Sequence, residues 1–299
     1  MLFKKKRILY CAMNYLNKLS EIIDIDYVNE FIKLVSKHQQ LAKINNKYNR
    51  CSTYSIEYYL YHILLVLTQL QRWDSLRCVL NNKFKYHYKT IQDKHLEWSN
   101  LNYYEDAYRS LLITPDKNNF KYSKNLVFFI DATLIYNKHG REQVGYGQNP
   151  KKKETKLSAI CDANKHVYSI IIAKTIQKTP IKKTLKNDAF LVEDNLKNLQ
   201  ETNIKFKKII LGGDKGYART QDDKNMILTQ YDTKLIYPHR KNQKQKTPPS
   251  SKRILKNRYV IENVFAKIKK FDRICMRKDH LESTYKGFIF LALILSFKK

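Results

Sequence analysis

The sequence predicts an α/β protein in which a mixed sheet with flanking helices is preceded by a helical N-terminal region. Three observations predict it. Residues up to about 120 carry helical periodicity and few strand signals. From Asn125 the texture switches to short β-rich runs bounded by turn residues. Beyond that switch the patterns read strand, strand, strand, helix, strand, helix, strand, helix, an α/β order that opens with an antiparallel meander. The expected organisation is a helical domain over residues 1–120, a candidate DNA-binding domain, and a sheet domain over residues 121–299.

The elements follow in order. Ser55 to Gln71 (SIEYYLYHILLVLTQLQ) is long, apolar and free of Gly and Pro, which predicts a buried helix. Shorter helical patterns run over Trp73 to Leu80, Thr90 to Trp98 and Asn102 to Leu112, the last beginning after the polar Ser99-Asn100 break. Several short helices in a basic setting suit a helix-turn-helix-like DNA-binding module, and suit equally an ordinary helical cap on the second domain. In the second region LVFFIDATLIY (Leu126 to Tyr136) is a strand pattern. KLSAICD (Lys156 to Asp162) and HVYSIIIAK (His166 to Lys174) form a hairpin pattern around Asp-Ala-Asn-Lys, because Asp and Asn tolerate turn backbone angles. Lys182 to Gln200 reads as an amphipathic helix and KKIILGGD (Lys207 to Asp214) as a strand. A helix near Asp222 to Gln230 and a strand over Lys234 to Tyr237 come next. Pro238 to Arg253 then reads as a cationic loop, and Ile254 to Phe271 as a helix.

Composition bounds the function. The 299 residues carry 57 Lys and Arg against 27 Asp and Glu, a net charge of +30. With 43% hydrophobic residues the chain can bury a core, which excludes a disordered basic tail. A folded cationic body attracts polyanions and releases counterions on meeting phosphates, so DNA or RNA is the first partner to test. The heavy use of Lys, Asn, Ile and Tyr is also what an AT-rich coding sequence produces. The five cysteines are scattered without metal-ligand spacing, which points to buried thiols in a reducing compartment. The most apolar run, Gly287 to Phe297 (GFIFLALILSF), is 11 residues long, too short to span a bilayer. No membrane role is expected, and no secretory signal opens the chain. The expectation is a soluble, intracellular protein at DNA, in a bacterial cytoplasm, a nucleus or a virus-infected cell.

Three acids stand out. Asp131 sits in the middle of an apolar strand pattern, where an unpaired carboxylate is expensive, so it must find cations or donors; a partly exposed residue bonding locally is the plainer alternative. Asp214 closes a strand at a Gly-Gly turn, at the strand end where open α/β sheets bind ligands, and is equally an ordinary turn residue. On a helix, at about 100° per residue, Glu262 lies about 40° and Lys269 about 20° from Arg258. Val260, Ile261, Val264, Ile268 and Phe271 occupy a separate face. The charged stripe fits a site, and fits as well a solvated face with i, i+4 pairing. The chemistry that three such carboxylates serve is metal-ion phosphoryl transfer, in which two divalent ions roughly 3.5–4 Å apart flank the reacting phosphate. Hard ions such as Mg²⁺ choose carboxylate oxygens. Cys161 with Asp162 and His166 reads as strand and turn residues rather than as a nucleophile with its base.

From about Leu126 onward the chain resembles the DDE transposases of bacterial insertion sequences, specifically the insertion-sequence-five group and its transposase family 11 type. FIDATLIYNKHG (Phe129 to Gly140) resembles the first-Asp block, and KKKETKLSAICDANKH (Lys151 to His166) the loop and hairpin after it. LGGDKGY (Leu211 to Tyr217) resembles the second-Asp block. RYVIENVFAKIKKFDRI (Arg258 to Ile274) resembles the third, whose signature is Tyr-x2-Arg-x3-Glu-x6-Lys. Arg258, Glu262 and Lys269 keep that spacing, while Leu255 stands at the Tyr position. More loosely, Arg72-Trp73 and Thr90 to Leu112 are similar to the helical module preceding the catalytic domain in that group. The resemblance implies a ribonuclease-H-like catalytic domain in which Asp131, Asp214 and Glu262 hold two Mg²⁺ or Mn²⁺ ions and Arg258 and Lys269 engage DNA near the scissile phosphate. It further implies binding of double-stranded DNA, at terminal inverted repeats and at target sites, by a homodimer on paired ends. Two other readings belong beside it: a reused or inactive transposase that only binds DNA, and a nuclease of the same fold.

Overall fold

The structure, a computed structural model, describes residues 14–44, 54–70, 72–80, 88–112, 126–146, 152–175, 190–202, 208–239 and 246–296. The chain divides into two compact units. One comprises Met1–Leu111, Ile268–Cys275 and Asp279–Lys299; the other comprises Leu112–Lys267 and Met276–Lys278. The boundary expected near residue 120 lies outside the described residues. The C-terminal segment, expected with the sheet, groups instead with the N-terminal helices. Its apolar content explains this, because such a run needs a helical core to bury it.

The helical unit holds α1 (residues 14–22), α2 (Ile25–Ile44), α3 (Ile56–Leu65), α4 (Leu76–Val79), α5 (Tyr88–Asn100), α6 (Tyr103–Ser110), α11 (Asp272–Cys275) and α12 (Glu282–Ser296). Ser55 starts α3 as its N-cap, accepting a hydrogen bond from the Tyr58 N–H at 3.3 Å. Of the helix expected over Ser55 to Gln71, Gln71 lies outside the described residues; the rest is present, but its last turn, Val66–Leu70, widens to a π-helix. The Trp73 to Leu80 helix contracts to α4, because Trp73, Asp74 and Ser75 form a turn in which Arg72 pairs with Asp74 at 2.9 Å. The apolar run beginning at Gly287 lies in α12, whose Tyr285, Phe288, Ile289, Leu291 and Ala292 are fully buried against α5 and α6. His95 on α5 ties these helices together, its ring bonding the Tyr104 hydroxyl at 3.0 Å and the Thr284 carbonyl at 3.1 Å. Burial lowers the His95 pKa to about 4, so the imidazole stays neutral at pH 7.

The second unit is built on a sheet of seven strands: β1 (Leu126–Asn137), β2 (Gly145–Tyr146), β3 (Lys153–Asp162), β4 (Val167–Lys174), β5 (Ile209–Gly212), β6 (Thr233–Ile236) and β7 (Met276–Arg277). The main order is β4-β3-β1-β5-β6. β1, β3 and β4 run antiparallel, while β5 and β6 continue from β1 in parallel. This is a mixed sheet with flanking helices, as the sequence predicts. β2 and β7 are two-residue additions, to β3 and to the far end of β1, too short to leave a periodic signal. α7 (Leu191–Gln200) covers β3 and β4 and α8 (Gln221–Tyr231) packs on β6. Phe128, Ile130 and Ile160 of the sheet meet Val192 and Leu196 of α7 in the core. Of the helix expected from Lys182, residues 182–189 lie outside the described residues.

Two expected loops differ in part. Lys153–Lys156 belongs to β3 rather than to a loop; its Thr155 is fully buried and accepts hydrogen bonds from Asn137 Nδ2 at 3.0 Å and Arg277 Nη1 at 3.2 Å, which extends the pairing. Lys151 lies outside the described residues, as do residues 240–245 of the Pro238 to Arg253 segment. At its end that segment is helical, as α9 (Pro249–Leu255), which Pro249 opens at the first helical position. Among the described residues no helix is long and apolar enough to cross a membrane.

Candidate active site

The site begins with strand register. β1 and β5 run parallel, and their last pair is Phe129 with Gly212. Two residues beyond each member of that pair stand Asp131 and Asp214, so the sheet carries the two acids to the same level on neighbouring chains. Alternation along β1 sends Phe128 and Ile130 toward α7 and leaves Phe129 and Asp131 on the opposite face. On that face the chain returns through α9, a 3₁₀ turn (Lys256–Arg258) and α10 (Tyr259–Ile268). Leu255 points inward there, since a Cβ built on Gly212 would lie 3.4 Å from its Cδ2. The position where the motif has Tyr is thus used for packing.

α10 buries Val260, Ile261, Val264 and Ile268 and exposes Glu262, which agrees with the face expected from periodicity. The continuous helix expected from Ile254 to Phe271 is broken, however. Lys256, Asn257 and Arg258 form the 3₁₀ turn, three polar residues with no apolar side chain to anchor a helical turn on the sheet. Arg258 emerges from this turn toward the acids. Its Nη1 donates to Asp131 Oδ2 at 2.8 Å and its Nη2 to Glu262 Oε1 at 2.5 Å, so one guanidinium joins the strand acid to the helix acid. The Asp131 side chain is 19% exposed and that of Glu262 52%, so water screens the second ion pair far more than the first. Asp131 Oδ1 also accepts from the Ala132 N–H at 2.9 Å.

The electrostatics link the third acid. Burial raises the Asp131 carboxyl above its ordinary pKa; the Ala132 N–H and Arg258 oppose the rise, and Asp214 and Glu262 add to it. The three carboxylates therefore share one field and together call for positive charge. Asp214 caps the 3₁₀ turn Lys215–Tyr217, its Oδ1 accepting from the Gly216 N–H at 2.7 Å. Among the described residues no three His, Cys, Asp or Glu side chains are gathered closely enough to hold an ion as they stand. The donor set nonetheless fits a hard divalent ion in its chemistry, being all carboxylate oxygen with an excess of negative charge.

Of the five residues expected at the site, the structure brings Asp131, Arg258 and Glu262 into contact and sets Asp214 at the level of Asp131. Lys269 falls just outside the helix expected to carry it. α10 ends at Ile268, and Lys269 lies in the turn after it, grouped with the helical unit, where burial lowers its ammonium pKa. Cys161 is fully buried and its thiol pKa is pushed well up, which suits a strand residue rather than a nucleophile. Asp162 organises the hairpin by accepting from the N–H groups of Asn164 at 2.8 Å and His166 at 2.9 Å.

Two residues the sequence reading passed over lie behind Asp131. Ser158 of β3, fully buried, donates its hydroxyl to the Asp131 carbonyl at 3.3 Å. Asn195 of α7, also fully buried, donates to Ser158 Oγ at 2.9 Å and to the Leu191 carbonyl at 2.8 Å, and accepts from Ser169 Oγ at 2.9 Å. The available signal was an amide among Leu191, Val192, Leu196 and Leu199, the apolar stripe of α7.

The family model described as the transposase DDE domain matches residues 122–297. No curated protein matches the chain in sequence. Among solved structures, the chain is similar to the piggyBac transposase in its synaptic complex with hairpin DNA, at 13% identity and a TM-score of 0.48, covering 86% of this chain and 69% of that one. It is similar also to the protein of the Mos1 strand transfer complex, at 15% identity and a TM-score of 0.26, covering 87% and 83%.

Proposed function

The chain belongs to the transposase DDE domain family, and on that premise we propose that it binds the terminal inverted repeats of a mobile element, cuts the DNA at their ends and joins the freed 3′ hydroxyls to target DNA. The observation that carries the reading is that Arg258, in the 3₁₀ turn before α10, joins Asp131 of β1 to Glu262 of α10, while Asp214, just beyond β5, lies close enough to raise the Asp131 pKa. The insertion-sequence-five group is the subgroup whose blocks these residues match.

In this reading Asp131, Asp214 and Glu262 hold two Mg²⁺ or Mn²⁺ ions. When bound, such ions supply Lewis-acid polarisation of the scissile phosphate and of the attacking water or 3′ hydroxyl. The remaining work belongs to side chains of this protein. Arg258, with its planar fork of donors, holds the carboxylates together and turns to a phosphate oxygen once DNA enters, an exchange of one anionic partner for another. Exposed Lys252, Arg253 and Lys256, just before it, track the DNA backbone. Lys269 is a further phosphate contact from beyond α10, the helical domain supplies end recognition, and two copies act on paired ends.

The test is strand cleavage of a duplex bearing the element end, with Mg²⁺ or Mn²⁺, against an unrelated duplex of equal length. The Asp131→Ala protein should lose cleavage by at least about a hundredfold, the scale of removing one electrostatic stabiliser from such a site, while still binding the duplex. Equal cutting by Asp131→Ala and parent defeats the assignment of this acid. Equal cutting of both duplexes makes the protein a nuclease rather than a transposase.

A further inference from the structure

We infer that Ser158 and Asn195 are positioning residues for Asp131, acting from the far side of the sheet. The inference rests on the reading of Asp131 as a catalytic carboxylate. It deepens that reading by naming what fixes the carboxylate in place.

The observations form one chain of donors. The Ser169 hydroxyl donates to Asn195 Oδ1 at 2.9 Å, Asn195 Nδ2 donates to Ser158 Oγ at 2.9 Å, and the Ser158 hydroxyl donates to the Asp131 carbonyl at 3.3 Å. All three side chains are buried, at 2%, 0% and 0% exposure, so water cannot substitute for a lost partner. Every hydroxyl has its direction fixed by the next acceptor, which makes the network a single arrangement rather than several.

Stability alone does not account for this placement. Asn195 lies in the stripe by which α7 packs on the sheet, where Leu or Val would bury apolar area without a desolvation cost. An amide there is tolerable only because three of its hydrogen-bonding positions are filled, one by the Leu191 carbonyl of its own helix and two by serines of two different strands. Those two bonds tie α7 to β3 and β4 together, and β3 passes the constraint to β1 through Ser158.

Register shows why the end of this chain matters. Ser158 stands opposite Ala132, the residue after Asp131, and Asp131 itself stands opposite Ala159. β1 remains paired with β3 at this level, whereas its pairing with β5 has ended at Phe129. On the β5 side the backbone of Asp131 has therefore lost its ladder, just where its carboxylate must keep a fixed direction. The Ser158 hydroxyl adds a bond to the carbonyl, and the Ala132 N–H holds Oδ1 at 2.9 Å. Backbone and carboxylate are thus clamped separately. The network touches no reacting atom, and its effect on chemistry passes only through the orientation of Asp131.

The experiment uses the full chain and five proteins: parent, Ser158→Ala, Ser158→Thr, Asn195→Asp and Asp131→Ala. Mn²⁺ binding is read by electron paramagnetic resonance without DNA, cleavage is read as kcat and KM on the end-bearing duplex, and thermal melting checks the fold. Ser158→Ala should weaken Mn²⁺ binding about tenfold and lower kcat about tenfold with KM unchanged, the scale of losing an outer-shell partner. Ser158→Thr, which keeps the hydroxyl, should restore both; Asn195→Asp, which keeps the shape but loses the amide donors, should repeat the Ser158→Ala result. If Ser158→Ala binds Mn²⁺ and cuts within twofold of the parent, the inference is overturned while the transposase reading stands. If Ser158→Thr is as impaired as Ser158→Ala, the hydroxyl is not the cause and the inference again falls. If no protein cuts DNA but Ser158→Ala still weakens an Mn²⁺ site that Asp131→Ala abolishes, the catalytic reading fails and the positioning stands. Mn²⁺ binding that is indifferent to Asp131→Ala sinks both.

Discussion

Burial raises the proton affinity of the Asp131 carboxyl, and Asp214 and Glu262 raise it further against the opposition of the Ala132 N–H and Arg258. A carboxyl whose folded pKa exceeds its unfolded value, about 3.9, favours folding while it is protonated. That contribution is complete below the unfolded pKa and is lost as pH rises through the folded one. At pH 7 the ionised Asp131 is therefore a net strain on the fold. Asp131→Asn, neutral at every pH and still able to accept from Arg258, should melt at a higher temperature than the parent at pH 7 and at the same temperature near pH 4, while failing to cleave. Thermal melts across that range check this, and a lower melting point for the Asn variant at pH 7 refutes it. Legibility at this scale followed chemistry. An acid inside LVFFIDATLIY is visible because it violates its surroundings, as is an acid after Gly-Gly. Ser158 and Asn195 violate nothing obvious, since a hydroxyl in a strand and an amide in a helix acquire meaning only from the tertiary bonds they share.

The turn that delivers Asp214 is sterically full. A Cβ on Gly213 would lie 2.8 Å from Cδ2 and 2.9 Å from Cγ of the Tyr217 ring, which is fully buried and cannot swing away. A Cβ on Gly212 would meet Phe129 at 3.2 Å and Leu255 at 3.4 Å, contacts that small shifts relieve. Gly213→Ala should thus cost about 1–3 kcal/mol, the range for overpacking a core, and should depress cleavage by displacing Asp214. Gly212→Ala should cost less in both. Urea denaturation and cleavage rates of the two proteins give the ordering, and equal effects would contradict the steric account. β1 was readable as a run of β-branched and aromatic residues, and the core of α12 as the most apolar run of the chain. The break between α9 and α10 was not, because a 3₁₀ turn of three residues barely disturbs a 3.6-residue pattern. Nor was the end of α10 at Ile268, which puts Lys269 in the turn beyond the helix that the expected stripe extends through.

Across the whole molecule, the +30 charge sets how DNA is held before any base is read. A protein that neutralises four or more phosphates should lose at least about a hundredfold in duplex affinity between 50 and 200 mM salt, since each phosphate released to counterions steepens the dependence. Fluorescence anisotropy at several salt concentrations measures the slope; a nearly flat line would mean that the cationic surface does not contact the backbone. Composition made this expectation possible. It could not reveal how the chain is partitioned, because compactness depends on which distant segments share a core, and no local pattern near Asp279 marks the return to the helical unit. That return makes the sheet unit an insertion. Its two principal ends, Leu112 and Lys267, both continue into segments of the helical unit, whose interior is completed by α12. Deleting residues 279–296 would leave every carboxylate of the site in the chain. It would nevertheless take the Phe288 ring and the Thr284 carbonyl away from the buried His95 and strip Arg273 of its buried partner Asp279, 2.6 Å away. The fold of the helical unit thus leans on a stretch, Asp279 to Ser296, that carries none of the site's carboxylates.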